Sequence, residues 1–446
     1  MKTYETYKES GVNWIGKIPK KWETIKIKFL DNSDQTLFLD GDWIESKVIE
    51  EDGIRYLTTG NIGPGYYKEQ GRGFISDETF GKLNCTEVFP GDLVASRLNK
   101  PIGRACIIPD LGYRIVVAVD NVIIRPRNEF DTKYLMYVMN DVGYSDYTDL
   151  ISRGATMQRI SRGQLGRIII PAPQKKEQTQ IANYLDHKTQ IIDTLIEKKE
   201  QLIKKLQAQR QAIINDAVTK GLNPDVKMKD SGIEWLGEIP EHWEVVKLKY
   251  LATISRGAIL RPVDDPNYFD ENGKWSYLNI SDATKCDKYL DKAKLRLSEL
   301  GSNKSARVEP NNLIMTASAT IGKMFINRIP VCVHDGFIPI TALKCSIDFL
   351  YHYLGNPQLY VAIGKSNTQK NIYLDEVKNM IISLPPREEQ ETIYKFLESH
   401  NKDYTVLIKK AKSQIKKLKT YRQSIISEAV TGKIDVRDWQ APTKNA

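Results

Sequence analysis

A chain that is written twice has few ways to fold, and this one is written twice. Residues 10–30, SGVNWIGKIPKKWETIKIKFL, recur at 231–251 as SGIEWLGEIPEHWEVVKLKYL, an offset of 221. Eleven of the 21 positions are identical, among them Ser10, Gly11, Trp14, Gly16, Pro19, Trp22 and Glu23. A second pair, 173–219 and 385–431, agrees at 19 of 47 positions with an offset of 212, including Glu177, Gln178, Ile181, Leu185, Arg210 and Gln211. The stretch between the pairs is therefore nine residues shorter in the second copy, the difference between 221 and 212. Within it only a few anchors survive, Tyr56-Leu57 against Tyr277-Leu278 and Ile102-Gly103 against Ile321-Gly322. A repeat of this kind signals repeated structural units. Similar ends imply one scaffold used twice, and different middles imply two different jobs of one kind.

The second matched segment predicts a long helix in each copy. Apolar residues fall at Ile181, Leu185, Ile192, Leu195, Leu202, Leu206 and Ile213, and at Ile393, Leu397, Tyr404, Leu407, Ile415, Leu418 and Ile425. Most steps are 3, 4 or 7, which draws one stripe along a helix. Pro173 with Glu177, and Pro386 with Glu388 and Glu389, suit helix starts. Gly221 and Gly432 stand where each helix should stop. About 45 residues at ~1.5 Å each make a rod of roughly 65–70 Å. A stripe that long needs a partner, and its own copy is the obvious one. The middles carry short β-branched runs such as DLVASRL, RIVVAVDNVIIRP and NNLIMTASA, with short helical stretches at YLMYVMND and FLYHYLGN. The predicted class is α+β: two mixed globular domains in a pseudo-twofold arrangement, separated by two long antiparallel coiled-coil helices. The segments are 1–168 (lead-in and first middle), 169–222 (first long helix), 223–380 (second lead-in and middle), 381–434 (second long helix) and 435–446 (tail).

Composition narrows the function classes. With 65 Lys+Arg against 56 Asp+Glu, the net charge of +9 is compatible with a polyanionic partner. No apolar run approaches the ~20 residues of a membrane helix, and MKTYETYKES has no apolar core of a signal peptide. The expected place is the cytoplasm, with no membrane partner. The five cysteines form no C-x-x-C pair, and Cys332, His334 and Cys345 match no zinc spacing, so no metal is expected.

A catalytic constellation is not legible either. GVNWIGKI at 11–18 has the outline of a phosphate-binding loop, but Ile18 stands where a magnesium-holding Ser or Thr belongs and the repeat has Glu238 for Lys17. The sequence contains no N-P-P-[FY] or D-P-P-[YF] methylation motif and no glycine-rich opening for S-adenosylmethionine. Trp14, Trp22, Trp235 and Trp243 could stack on bases, but they recur in the shared ends and are read as packing. The expected catalytic, cofactor and metal sets of this chain are empty.

The SG-x-x-W-[IL]-G-x-IP-x-x-W-E opening, the [LI]-P-x-P-x-x-EQ-x-x-I start of each long helix and the T-x-[QK]-x-I element at Thr156–Ile160 and Thr368–Ile372 resemble the specificity subunits of type I restriction–modification systems. The resemblance runs through nearly the whole chain, in order and twice over. It implies that each middle is a target recognition domain reading one half of an asymmetric bipartite site in double-stranded DNA, and that the long helices set the spacer and hold two modification (methyltransferase) subunits. Restriction subunits join in the full complex, whose adenine-N6 methylation and cleavage use S-adenosylmethionine, ATP and magnesium on the partner subunits. A modification-only complex and a free-standing DNA-binding repeat protein are the alternatives.

Base readout needs Arg, Lys, Asn, Gln, Ser or Thr on rigid supports, with further cations on phosphates. The candidates in the first middle are Ser96, Arg97, Asn99, Lys100 and Arg104, then Arg153, Thr156, Gln158, Arg159 and Arg162. In the second they are Lys304, Arg307, Thr316, Ser318, Thr320 and Lys323, then Lys365, Asn367, Gln369 and Lys370. The basic helix stretches Lys198–Arg210 and Lys409–Arg422 either lie over DNA phosphates between the half-sites or form the solvated face of a coiled coil, the second reading being favoured.

Overall fold

The computed structural model describes residues 2–31, 36–154, 157–262, 265–318, 322–362 and 371–442. Its contacts divide the chain into two units, Met1–Glu200 with Ser413–Ala446, and Gln201–Lys412.

The first unit opens with an antiparallel hairpin, Tyr7–Glu9 on Lys17–Pro19. Glu23–Lys26 then pairs antiparallel with Ile169–Ala172, so the two ends of the middle are tied together at a neck. Inside the neck lies an antiparallel sheet in the order Leu37–Asp40, Asn121–Arg125, Leu93–Ser96, Ala105–Ile107. A smaller sheet sets Ile54–Leu57 between Phe74–Ile75 and Ile115–Val117, the latter pair parallel. The two sheets share a core of Leu57, Ile62, Val94, Cys106, Ile115, Val117 and Ile123. Asp131 and Asp141 cap the short helices Thr132–Val138 and Val142–Ile151 by accepting backbone amides.

The second unit repeats this plan. Met228–Asp230 pairs with Glu238–Pro240, and Glu244–Lys247 pairs with Ile381–Leu384 at the neck. Its sheets run Thr253–Ile254, Phe337–Thr341, Asn312–Thr316, Met324–Asn327, Tyr289–Leu290, and Leu295–Leu297, Trp275–Leu278, Val331–Val333, Ala306–Val308.

The long helices span Lys175–Lys220 and Arg387–Val430. In the first unit Arg422 clasps Asp193 at 2.9 Å and Lys199 donates to Gln414 at 2.8 Å, so the two segments run antiparallel. In the second unit Arg210 donates to Asn401 at 2.8 Å. The packed seam departs from the stripe drawn in the sequence. In the first unit the buried and half-buried positions include Ile192, Ile196 and Lys199 on one helix and Ile415, Leu418, Arg422 and Ile425 on the other, in steps of 3 and 4. In the second they include Ile203, Leu206 and Arg210 on one helix and Leu397, Asn401, Tyr404 and Ile408 on the other. Leu195, Leu202 and Leu407, expected within the stripe, are exposed. The seam keeps its heptad spacing by accepting polar layers, as polar seam positions that specify register do.

Both helix ends rest on the buried tryptophans. Gly432 has φ +72, and a Cβ there would overlap the Pro19 ring and crowd Trp22. Gly221 has φ +78 and stands over Trp243 and Pro240. Trp22 and Trp243 are wholly buried, which explains why they recur with the scaffold. Residues 433–442 pack back on the first unit. Asp435 donates its amide to Lys2, Gln180 donates to the Trp439 carbonyl, and the Trp439 ring packs on Tyr184.

Candidate nucleic-acid interface

In the first unit the strand Leu93–Ser96 runs into a turn that returns as Ala105–Ile107. The segment 157–160 docks against this turn. Leu98 bridges Arg159, the Asn99 amide donates to the Gln158 carbonyl at 3.1 Å, and the Ile160 amide donates to the Arg97 carbonyl at 3.1 Å. Arg153 and Arg159 exchange backbone bonds at 3.0 and 2.9 Å. The two groups of candidates, Ser96 to Arg104 and Arg153 to Arg162, thus form one surface although they are far apart in sequence.

Three of them face inward. Ser96 is fully buried and donates to the Leu98 carbonyl at 3.1 Å. Arg97 is 4% exposed; it donates to the carbonyls of Ile160 and Val119 and meets Asp40 at 3.1 Å. Arg104 is 8% exposed and donates to the carbonyls of Ile62, Thr59, Leu98, Asn99 and Pro101 at 2.6 to 3.1 Å. Burial lowers the pKa of Arg104. Their donors are turned to the chain itself, and the three shape the turn.

The outward members are Asn99, Lys100, Arg153 and Arg159, with Gln158 and Arg162 half-buried. Asn99 sits at φ +60, a left-handed position that Asn tolerates better than most residues. Carboxylates flank the cations, Asp149 at 2.8 Å from Lys100, Asp120 at 3.3 Å from Arg159 and Asp40 at 3.6 Å from Arg162. Such exposed pairs are weak, so these cations can turn to a polyanion. No sequence signal marked the three aspartates, which come from two strand ends and the helix Val142–Ile151.

The second unit repeats the docking. Ile372 donates its amide to the Ala317 carbonyl at 3.0 Å, and Ser318 bridges Asn371. Thr316 is buried, as Ser96 is. Lys323 donates to the carbonyls of Thr284 and Cys286 at 3.0 and 2.7 Å, holding the loop that Arg104 holds in the first unit. Ser318 is half-buried beside the docking site. Lys304 and Arg307 are exposed, but on the other sheet. Lys304 lies over Tyr268 and donates to its hydroxyl at 2.7 Å, while Arg307 lies over Trp275 and donates to Ser302 at 2.6 Å. Thr156, Thr320, Lys365, Asn367, Gln369 and Lys370 lie outside the described residues.

Among the described residues, no three His, Cys, Asp or Glu side chains converge to hold a metal ion, and no helix is long and apolar enough to cross a membrane. Cys332 and Cys345 are buried, and burial pushes both thiols up to about 11.

Residues 19–205 and 240–417 match the family model of the type I restriction modification DNA specificity domain, and the chain belongs to that family. It is 27% identical over 442 residues to the putative type I restriction enzyme MjaX specificity subunit of Methanocaldococcus jannaschii, covering 95% of this chain and 96% of that one. It is 24% identical over 317 residues to the EcoBI specificity subunit of Escherichia coli, covering 67% and 65%. In fold it resembles a chain from a structure concerned with assembly and conformational transition of the type I R-M system, with a TM-score of 0.71 at 14% identity over 93% of this chain and 98% of that one. The HsdS subunit from Thermoanaerobacter tengcongensis gives a TM-score of 0.51 at 15% identity, with the same coverage.

Proposed function

We propose that this chain is the non-catalytic DNA-reading subunit of a type I restriction–modification complex, each unit reading one half of an asymmetric bipartite site. The observation that carries this reading is one docking geometry built twice with different side chains on it. Ile160 on Arg97 and Ile372 on Ala317 fix the same backbone frame. Around that frame the first unit offers Asn99, Lys100, Arg153 and Arg159, and the second offers Ser318 and Asn371. A shared frame with unlike side chains is what two readers of different sequences require, since base edges specify and phosphates position.

The long helices set the spacer and dock two methyltransferase subunits. Their exposed apolar residues support the docking, Ile191 and Leu195 in the first unit and Leu202, Val406 and Leu407 in the second. Methyl transfer with S-adenosylmethionine, and ATP- and magnesium-dependent cleavage by restriction subunits, belong to those partners, in the cytoplasm with the DNA. The test is expression with the methyltransferase subunits in a methylation-free host, followed by methylome sequencing. A split motif that appears only when this chain is present is the expected result; a methylation pattern indifferent to the chain overturns the reading.

A further inference from the structure

Gly41 and Gly257 occupy one position in the two units. Phe38 pairs with Ile124 and Ile254 with Ile340 on matching sheet strands, and three residues further on lie Gly41 and Gly257. Both are pressed onto backbone. A Cβ at Gly41 would overlap the carbonyl oxygens of Val117 and Ala118, and one at Gly257 would overlap that of His334. The next residue is pinned the same way in each unit, Asp42 donating its amide to Val117 at 2.8 Å and Ala258 donating to Val333 at 2.9 Å. Asp42 is fixed further by the Thr86 amide at 2.9 Å. After this pedestal the exposure pattern also repeats. Trp43 is 72% exposed and Ile259 37%, while the following Ile44 and Leu260 turn back into small apolar clusters.

A large apolar side chain held rigidly in water, on the same support in both units but of different identity, calls for a partner. The surroundings in the first unit say which. Asp40, three residues before Trp43, pairs with Arg162 and Arg97. Ala118, bridged to Asp42, lies two residues from Asp120, the partner of Arg159. The indole therefore follows the strand ends whose aspartates pair with the arginines of the 157–162 segment.

We propose that the residue two places after the pedestal glycine is a sequence-reading contact with duplex DNA, Trp43 in the first unit and Ile259 in the second. Each offers an apolar surface to a base edge or a thymine methyl, and the indole can in addition stack on an opened step. The pedestal leaves the backbone fixed, so changing this one side chain changes what is read without moving the frame. The inference rests on the DNA-reading role above and deepens it.

The experiment uses the full chain assembled with its methyltransferase subunits, comparing wild type, Trp43→Ala, Trp43→Phe and Ile259→Ala by methylome sequencing and by binding to duplexes carrying the wild-type motif. Trp43→Ala should relax or erase one half-site only, with binding weakened roughly 5- to 100-fold, the range for a lost base contact. Trp43→Phe should recover most of it. Ile259→Ala should affect the other half-site. Tyr113→Ala, which removes another exposed ring of the first unit, should alter neither. If both half-sites and their occupancy are unchanged in Trp43→Ala and Ile259→Ala, the inference is overturned while the DNA-reading role stands. If the wild-type chain directs no motif, that role itself fails.

Discussion

Tyr137 donates its hydroxyl to Asp186 on the first long helix at 2.8 Å, and the matching residue of the second unit, His352, makes no such bond. The correspondence is set by the helix starts: Gln178 accepts the Asp131 amide at 2.9 Å, Gln390 accepts the Ser346 amide at 2.7 Å, and six residues on stand Tyr137 and His352. Beside His352 lies a cleft of about 850 Å³ lined in part by Arg210, Lys288 and Glu398. Lys288 fills the electrostatic gap, reaching Asp348 at 2.7 Å and Glu398 at 3.3 Å. His352 is buried, and its Nε2 has no partner among the described residues.

Stability should therefore fall in mild acid. Burial first, then the charges of Lys288 and Arg210, hold the His352 pKa down to about 3, against 6.5 for the free side chain. Above 6.5 neither folded nor unfolded chain protonates this ring. Between 6.5 and 3 only the unfolded chain does, so stability is lost as pH drops through that window, by on the order of a few kcal/mol. Urea unfolding of the second unit's signal should show a lower midpoint at pH 4.5 than at 7.5, and His352→Tyr should flatten the difference. An equal pH dependence in the variant would assign the effect to other groups.

Arg104→Ala should damage the fold before it damages recognition. It strands five carbonyl acceptors that the guanidinium now satisfies. The expected cost is about 3 kcal/mol, read as a lower urea midpoint. Arg104→Lys should recover part of it, because Lys323 does the equivalent work in the second unit with two carbonyls.

Gly432→Ala should cost on the order of 2 kcal/mol, since it combines a left-handed backbone with overlap on Pro19. At Gly221 a Cβ finds Glu389 at 3.1 Å and Trp243 at 3.2 Å, which can give slightly. Gly221→Ala should therefore lower the thermal midpoint less than Gly432→Ala. Equal shifts would mean that backbone conformation alone decides.

Leu195→Glu should leave the fold intact and weaken assembly with the methyltransferase subunits, because the side chain is exposed beside the helix seam. Gel filtration of the mixed subunits and a urea curve of the chain alone separate the two effects. A normal complex would remove this face from the docking surface.

The repeat revealed the scaffold, because helix starts, helix stops and buried tryptophans obey local rules that appear twice. The seam was harder to read. Lys199 and Arg210 occupy core-facing positions, and a hydrophobicity pattern steps around them to Leu195 and Leu202. The residues picked for the interface do not share one environment. Arg97 and Arg159 look alike in sequence, yet one is enclosed by carbonyls of Ile160 and Val119 and the other is exposed beside Asp120. That difference depends on strands far apart in the chain. Trp43 gave no signal, because its meaning comes from the glycine beneath it.

Arg159 is the cleanest test of the charged surface. Its guanidinium is exposed and pairs with Asp120 at 3.3 Å, a weak interaction in water. Arg159→Ala should therefore leave the urea midpoint unchanged, in contrast to Arg104→Ala. If Arg159 lies on a phosphate, its removal weakens binding to every duplex alike and lowers the slope of log K against log salt by about 0.9. If it lies on a base, the loss is confined to one half-site and the slope changes little. Asp120→Asn should act in the opposite direction, freeing Arg159 and removing a negative charge from the surface, so that binding to unrelated DNA tightens at low salt. Fluorescence anisotropy of the assembled complex across a salt series distinguishes these outcomes. Unchanged affinity, slope and motif in both variants would take this corner of the first unit off the DNA.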